Sequence, residues 1–168
     1  MRTILVVLSA AVASLAFSAT ANAANPHIVT GFPQPDCAVT DQTVNCVSTQ
    51  IAGVGNNNAV ATLTATYSGV VDCNNPGENP NNPIESHETT FDVVSSSDII
   101  EPKNGRLVIP ALSASPRALT PEEEATLCPN PNWEAVLRDV ELVSFTYTID
   151  FVDAEGNVIE NFFSQTGP

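Results

Sequence analysis

Basic residues are the scarcest feature of this 168-residue chain: five Lys and Arg stand against 19 Asp and Glu, a net charge of −14. One of the five, Arg2, belongs to the N-terminal segment. The rest of the chain carries only Lys103, Arg106, Arg117 and Arg138, a balance of −15. Nucleic acid and anionic membrane surfaces need clustered cations, so both are excluded as partners. An acidic surface of this kind keeps an extracellular protein soluble. Histidine is almost missing too. Neither His27 nor His87 lies in a GxSxG, HExxH or paired-cysteine motif. His87-Glu88 has the form of a base with its orienting acid, but a histidine entering a strand beside an acid is ordinary surface text. No catalytic residue is assigned. No CxxC pair is present, which removes zinc as the purpose of the four cysteines. Aromatics beyond the N-terminal segment are limited to Trp133, Tyr67, Tyr147 and six Phe, nearly all at inward positions. That leaves no ring platform for sugars and no ring-flanked carboxylate pair for glycoside hydrolysis.

Long apolar runs are missing as well, with one exception. Residues 1–23 place Arg2 before an apolar stretch from Ile4 to Phe17 and end on Ala21-Asn22-Ala23. That is the charge, apolar core and small-x-small order of a cleaved signal peptide. The run is shorter than the roughly 20 residues a membrane span needs, and no stop-transfer cluster follows it. The expectation is a removed leader at 1–23, a mature domain at 24–168, and a secreted product with no membrane insertion once the leader is gone. The C-terminal "FFSQTGP" carries no hydrophobic tail or anchor signal, which favours release.

Four cysteines, Cys37, Cys46, Cys73 and Cys128, lie in the mature region. An even count in an oxidising compartment reads as two disulfides, with three pairings open. In "CAVTDQTVNC" a two-residue turn at Asp41-Gln42 sets Cys37 directly across from Cys46, where Cβ separation suits a bridge. Elimination pairs Cys73 with Cys128. Both sit in Asn/Pro loop text.

The periodicity is that of β-structure. Val143, Phe145, Tyr147, Ile149 and Phe151 alternate with Ser144, Thr146, Thr148 and Asp150, and Ala61, Leu63, Ala65 and Tyr67 alternate with Thr62, Thr64 and Thr66. Further strands are predicted near 26–32, 43–51, 86–95, 104–110 and 157–163. Their inward sets include Thr89, Phe91 and Val93, then Leu107 and Ile109. The inward phase shifts between Trp133 and Val143, which predicts a bulge or break at Arg138-Asp139. Turns are predicted at Asn104-Gly105 and at 153–157, with Gly156 at φ > 0. One short helix is predicted: Thr120 caps, Pro121 starts, and Glu123 returns the capping bond. Seven to eight strands with one helical turn near 121–127 give an all-β, antiparallel β-sandwich, immunoglobulin-like and Greek-key, as a single domain.

Few residues point to a contact. Phe162 and Phe163 are adjacent on a strand and should face opposite ways, so one is exposed or covered by another element; they are the candidate contact surface. Asp72 and Glu78, or Asp150, Asp153 and Glu155, supply oxygen donors for calcium, but no Asp-x-Asp-x-Asp loop is present, and turn residues in solvent are the favoured reading. Trp133 is expected to pack beside the Cys128 bridge. The row Thr62, Thr64 and Thr66 has the form of a crystal-facing ladder, or of ordinary strand preference.

Four short motifs in order, "IAGVGN" at 51–56, "DCNNPG" at 72–77, "KNGRL" at 103–107 and "CPNPNW" at 128–133, resemble those of small secreted bacterial proteins, mainly actinobacterial, of unassigned function. The resemblance spans most of the mature region and implies an exported β-sandwich with a Cys73–Cys128 bridge. It implies no activity. The expected function is a secreted, non-enzymatic interaction or cell-envelope-associated module, with no cofactor, no assigned metal site, and an extracellular partner of undefined identity. A hydrolase or hydrolase inhibitor with a loop-borne site at 72–85 or 115–132 is the alternative. A calcium-stabilised adhesive domain is the third reading.

Overall fold

A computed structural model describes residues 25–75, 83–128 and 130–168. The predicted leader and Glu78 lie outside the described residues. In chain order the elements are β1 (His27–Ile28), β2 (Cys37–Thr40), β3 (Thr43–Cys46), β4 (Thr49–Ala52), β5 (Asn58–Asn74), β6 (Glu85–Ser96), β7 (Arg106–Ile109) and β8 (Leu112–Ala114). Helix α1 (Pro121–Leu127) follows, then β9 (Glu134–Val152) and β10 (Val158–Gly167).

All strand pairs are antiparallel. One sheet has the order β10-β9-β5-β6, and two smaller ones have the orders β1-β4-β7 and β2-β3-β8. The all-β expectation holds, but the described residues form ten strands in three sheets rather than seven or eight strands in two. The cause is visible in the predicted strand 43–51. Val44 and Cys46 are buried, and so are Thr49 and Ile51. Even positions face inward before Val47 and odd ones after it, a change of phase that a strand without a bulge cannot carry. The chain therefore breaks at Val47-Ser48, giving β3 to one small sheet and β4 to the other. Thr49 fixes the new start by donating its hydroxyl to the Pro33 carbonyl at 2.6 Å.

The long strands alternate as their sequences predict. Ala59, Ala61, Leu63, Ala65 and Tyr67 of β5 are buried together with Phe145, Tyr147, Ile149 and Phe151 of β9. Their core is shared with Val44 and Cys46, Ile51, Leu107 and Ile109, and Ala114 from the two smaller sheets. Tyr67 ties the layers by hydrogen bonds as well. Its hydroxyl donates toward the carbonyls of Gln42 at 2.9 Å and Ala114 at 3.0 Å. Tyr147 is equally buried, yet its hydroxyl has no partner among the described residues. Burial pushes its pKa up to about 12.

The pairing of β5 with β9 contains two bulges. Ser68 pairs with Glu141 and Val70 with Arg138, which leaves one extra residue in β9 where Asp139 takes φ 52°. This is the predicted irregularity, absorbed within a continuous strand. Opposite it stands Gly69, where a Cβ would come within 2.9 Å of Leu137 Cδ1 and 3.1 Å of the Arg138 carbonyl oxygen. Only glycine leaves room for that backbone. The second bulge was not predicted. Thr66 pairs with Ser144 and Tyr67 with Leu142, so Val143 is the extra residue and turns outward, 49% exposed. Its expected inward place is corrected accordingly.

Both disulfides form. Asp41 and Gln42 adopt φ 48° and 65°, as a two-residue turn between right-twisted strands requires, and Cys37 faces Cys46 with a Cα separation of 4.0 Å. Cys73 at the end of β5 bonds Cys128 just after α1, with Cα atoms 5.6 Å apart. On the chain-entropy model the first closes a loop worth about 2.7 kcal/mol and the second about 4 kcal/mol. Replacing Cys73 and Cys128 together by Ala is expected to lower the urea midpoint more than replacing Cys37 and Cys46. Tyr67→Phe strands two carbonyls and should cost about 1–2 kcal/mol in urea unfolding, whereas Tyr147→Phe should fall within about 0.5 kcal/mol of the parent.

Candidate functional site

At the Cys73 end of the large sheet, a loop, the helix and the start of β9 meet. The local sequence builds this corner. Thr120 accepts from the Glu123 amide at 3.3 Å, and the Glu123 carboxylate accepts from the Thr120 amide at 2.7 Å, the predicted capping box. Arg117 donates to both oxygens of Glu123 at 2.8 Å, while its guanidinium lies 5.1 Å from the centroid of the Phe91 ring on β6. A charge-assisted fork and a cation–π contact thus fasten the start of α1 to the large sheet. The Arg117 bonds, followed by the Thr120 amide, hold the Glu123 carboxyl at about 2, well below its usual 4.5.

Beneath the helix, Val71, Cys73 and Cys128 form a second, smaller apolar cluster, with Leu119, Leu127, Trp133, Ala135 and Leu137 packed on it. Trp133 is half-buried there, beside the bridge as expected. Between the segment 117–124 and the start of β9 lies a groove of about 460 Å³, walled by Arg117 to Leu119 and Glu124 and by Glu134 to Leu137. A smaller hollow of about 240 Å³ continues from it past Trp133 and shares Glu124 and Ala135. The charge around the groove is acidic, because Arg117 is already engaged by Glu123. Near the base of the sheet, Asp72 is 1% exposed; it accepts from the Ser86 hydroxyl at 2.7 Å and forms an ion pair with Arg138.

The residues proposed for calcium are held by other partners. Asp153 accepts from the amides of Glu155 and Asn157 and from the Asn157 side chain, which closes its own hairpin turn and holds its carboxyl below the usual range. Asp150 accepts from Thr148 and Asn161. No group of three or more His, Cys, Asp or Glu among the described residues is placed to hold a metal ion. His87 contacts Glu85 at 3.2 Å rather than Glu88, since neighbouring strand residues face opposite sides. His27 donates to the Asn25 carbonyl at 2.9 Å.

The Phe162-Phe163 pair behaves differently from simple alternation. Asn161 pairs with Asp150 and Phe163 with Ile149, so β10 carries a bulge at Phe162. The extra residue lets both rings face the core: Phe162 lies 5.4 Å from Phe151 and Phe163 lies 6.0 Å from Tyr147, centroid to centroid. The expectation that one ring must face away is overturned by that bulge. The threonine row proves wider than one strand. Thr62 is in register with Thr148 and Ser164, and Thr64 with Thr146 and Thr166. Its hydroxyls bond within the sheet, Thr62 to Ser96 at 3.3 Å and Thr66 to Asp92 at 2.7 Å.

Comparison with protein-family models, curated proteins and solved structures finds no match to this chain. The groove was not anticipated residue by residue: Arg117 to Leu119 and Glu124 lie in the loop region 115–132 considered for a site, whereas Glu134 to Leu137 lie beyond it. Its two walls lie on different elements and meet where Cys128 is bonded to Cys73, which no local pattern announces. The Glu123 carboxyl should titrate near 2 by ¹³C NMR in the parent protein. Its folded pKa lies below the unfolded one, so its contribution to holding α1 is full above about 4.5 and declines as pH falls through 2. In Arg117→Ala the midpoint should rise toward 4.5.

Proposed function

We propose that this chain is an exported, non-enzymatic β-sandwich, immunoglobulin-like in its layering, that acts as an extracellular interaction or envelope-associated module. The carrying observation is the pair of disulfides. Bonds of this kind persist in oxidising compartments outside the cytosol, and the residue 1–23 text has the pattern of an export leader. The motif resemblance to small secreted bacterial proteins accords with the same compartment. The engagement of the conspicuous acids also favours a binding module over a hydrolase. Asp72, Glu123, Asp150 and Asp153 each hold structure together through bonds to their neighbours. The partner is a polypeptide or envelope component met on the protein's surface, without a cofactor.

Expression in a bacterial host should deliver the protein to the culture medium or the envelope fraction, with Ala24 as the new N-terminus and no free thiol by alkylation and mass spectrometry. Retention in the cytosol with the leader intact, or turnover of generic ester, glycoside or peptide substrates above background, would overturn the proposal.

A further inference from the structure

Only once in this chain does glycine directly follow asparagine, at Asn104-Gly105. The pair forms the two-residue turn that opens β7, with φ 53° and 70°. Positive φ at both central positions is the type I′ form. On either side, the Lys103 amide donates to the Arg106 carbonyl at 2.8 Å and the Arg106 amide to the Lys103 carbonyl at 3.1 Å. Asn104 is exposed, and its side chain has no hydrogen-bond partner among the described residues; the side-chain amides of Asn157 and Asn161 are held by Asp153 and Asp150. The space around Gly105 is open, with no atom beyond its chain neighbours within 4 Å of where a Cβ would stand. Rotating the central peptide alone converts a type I′ turn to type II′ and leaves the flanking bonds in place. The two groups that rotate are the Asn104 carbonyl and the Gly105 N–H, and neither is bonded among the described residues. The rotation takes ψ of Asn104 to about −120°. There the Gly105 nitrogen eclipses the Asn104 Cβ and comes within reach of the side-chain carbonyl carbon. Type II′ favours glycine at its first central position, so for Asn104 this is a minor state and its chemistry is slow.

We propose that Asn104 is a site of spontaneous deamidation in the folded protein, with water as the only co-reactant. The Gly105 nitrogen gives its proton to solvent and attacks the Asn104 side-chain carbonyl carbon. A C–N bond forms there, and the bond to the side-chain nitrogen breaks, releasing ammonia. Water then opens the five-membered imide. Opening at the side-chain carbonyl leaves aspartate, and opening at the backbone carbonyl leaves isoaspartate with one extra carbon in the main chain. Water enters, ammonia leaves, and nothing is oxidised or reduced. Charge favours the product. Lys103 and Arg106 form no ion pair among the described residues and flank the position where the new carboxylate appears. The extra carbon lengthens the tip of a hairpin whose Arg106 pairs with Ala52 of β4. Deamidation therefore marks the age of each molecule by one charge and by a change at the end of this small sheet.

The test holds the oxidised full chain at neutral pH and samples it over weeks by anion-exchange chromatography and peptide mass mapping. The expected result is a growing species with one more negative charge, modified at Asn104 to aspartate and isoaspartate ahead of every other asparagine. Asn104→Gly keeps a pair suited to the turn and should lose that species. Urea below the unfolding transition raises the unfolded population steeply, yet a reaction through the turn should keep its rate. Acceleration in step with unfolding would place the chemistry in the open chain and overturn the proposal. An intact Asn104 beside modification elsewhere, or no new species over the sampling period, would overturn it as well.

Discussion

The rest of the structure hangs on the pairing of β5 with β9, strands of 17 and 19 residues that lie side by side at the centre of the large sheet. Their inward residues fill most of the core, and their common register decides which residues those are. A slip of one position would exchange Leu63, Tyr67 and Tyr147 for threonines or a serine, and Phe151 for Asp150 or Val152. Cross-strand packing in the centre resists that slip, and the two bulges confine its effects. Each bulge resets the phase of β9 without unpairing it, so an imperfect alternation in sequence still yields one buried face.

The acidic character of the chain takes on a structural meaning at the corner near Cys73. The few cations outside the N-terminal segment include two that hold elements in place: Arg117 anchors α1 over Phe91, and Arg138 meets the buried carboxylate of Asp72. Surrounding acids are left facing solvent. A surface with cations so engaged presents an excess of negative potential around the groove. Added salt screens that potential, as for any exposed charge pattern.

The elements most legible in the sequence were those governed by local rules. The Asp41-Gln42 hairpin, the Thr120 capping box, the Gly156 turn and the alternation of β9 from Phe145 to Phe151 all depend on neighbours within a few positions. What escaped was set by distant partners. The break at Val47-Ser48 exists because Cys46 must meet Cys37 while Ile51 joins a different sheet. Val143 turns outward because Leu142 takes its place opposite Tyr67, and Phe162 turns inward because β10 has to match Asp150 and Ile149 in turn. The groove follows from the meeting of 117–124 with the start of β9, which no residue type announces.

The two sulfur bridges also differ in when they can form. Cys37 and Cys46 stand nine positions apart across one tight turn, and Cys73 and Cys128 stand 55 apart with β6, β7, β8 and α1 between them. In a polypeptide threaded outward N-terminus first, the early pair can oxidise within its own hairpin while later cysteines are still in transit. Cys73 then meets oxidant with no other sulfhydryl free to intercept it until Cys128 emerges. The order of the thiols along the chain is thus itself a safeguard against mispairing.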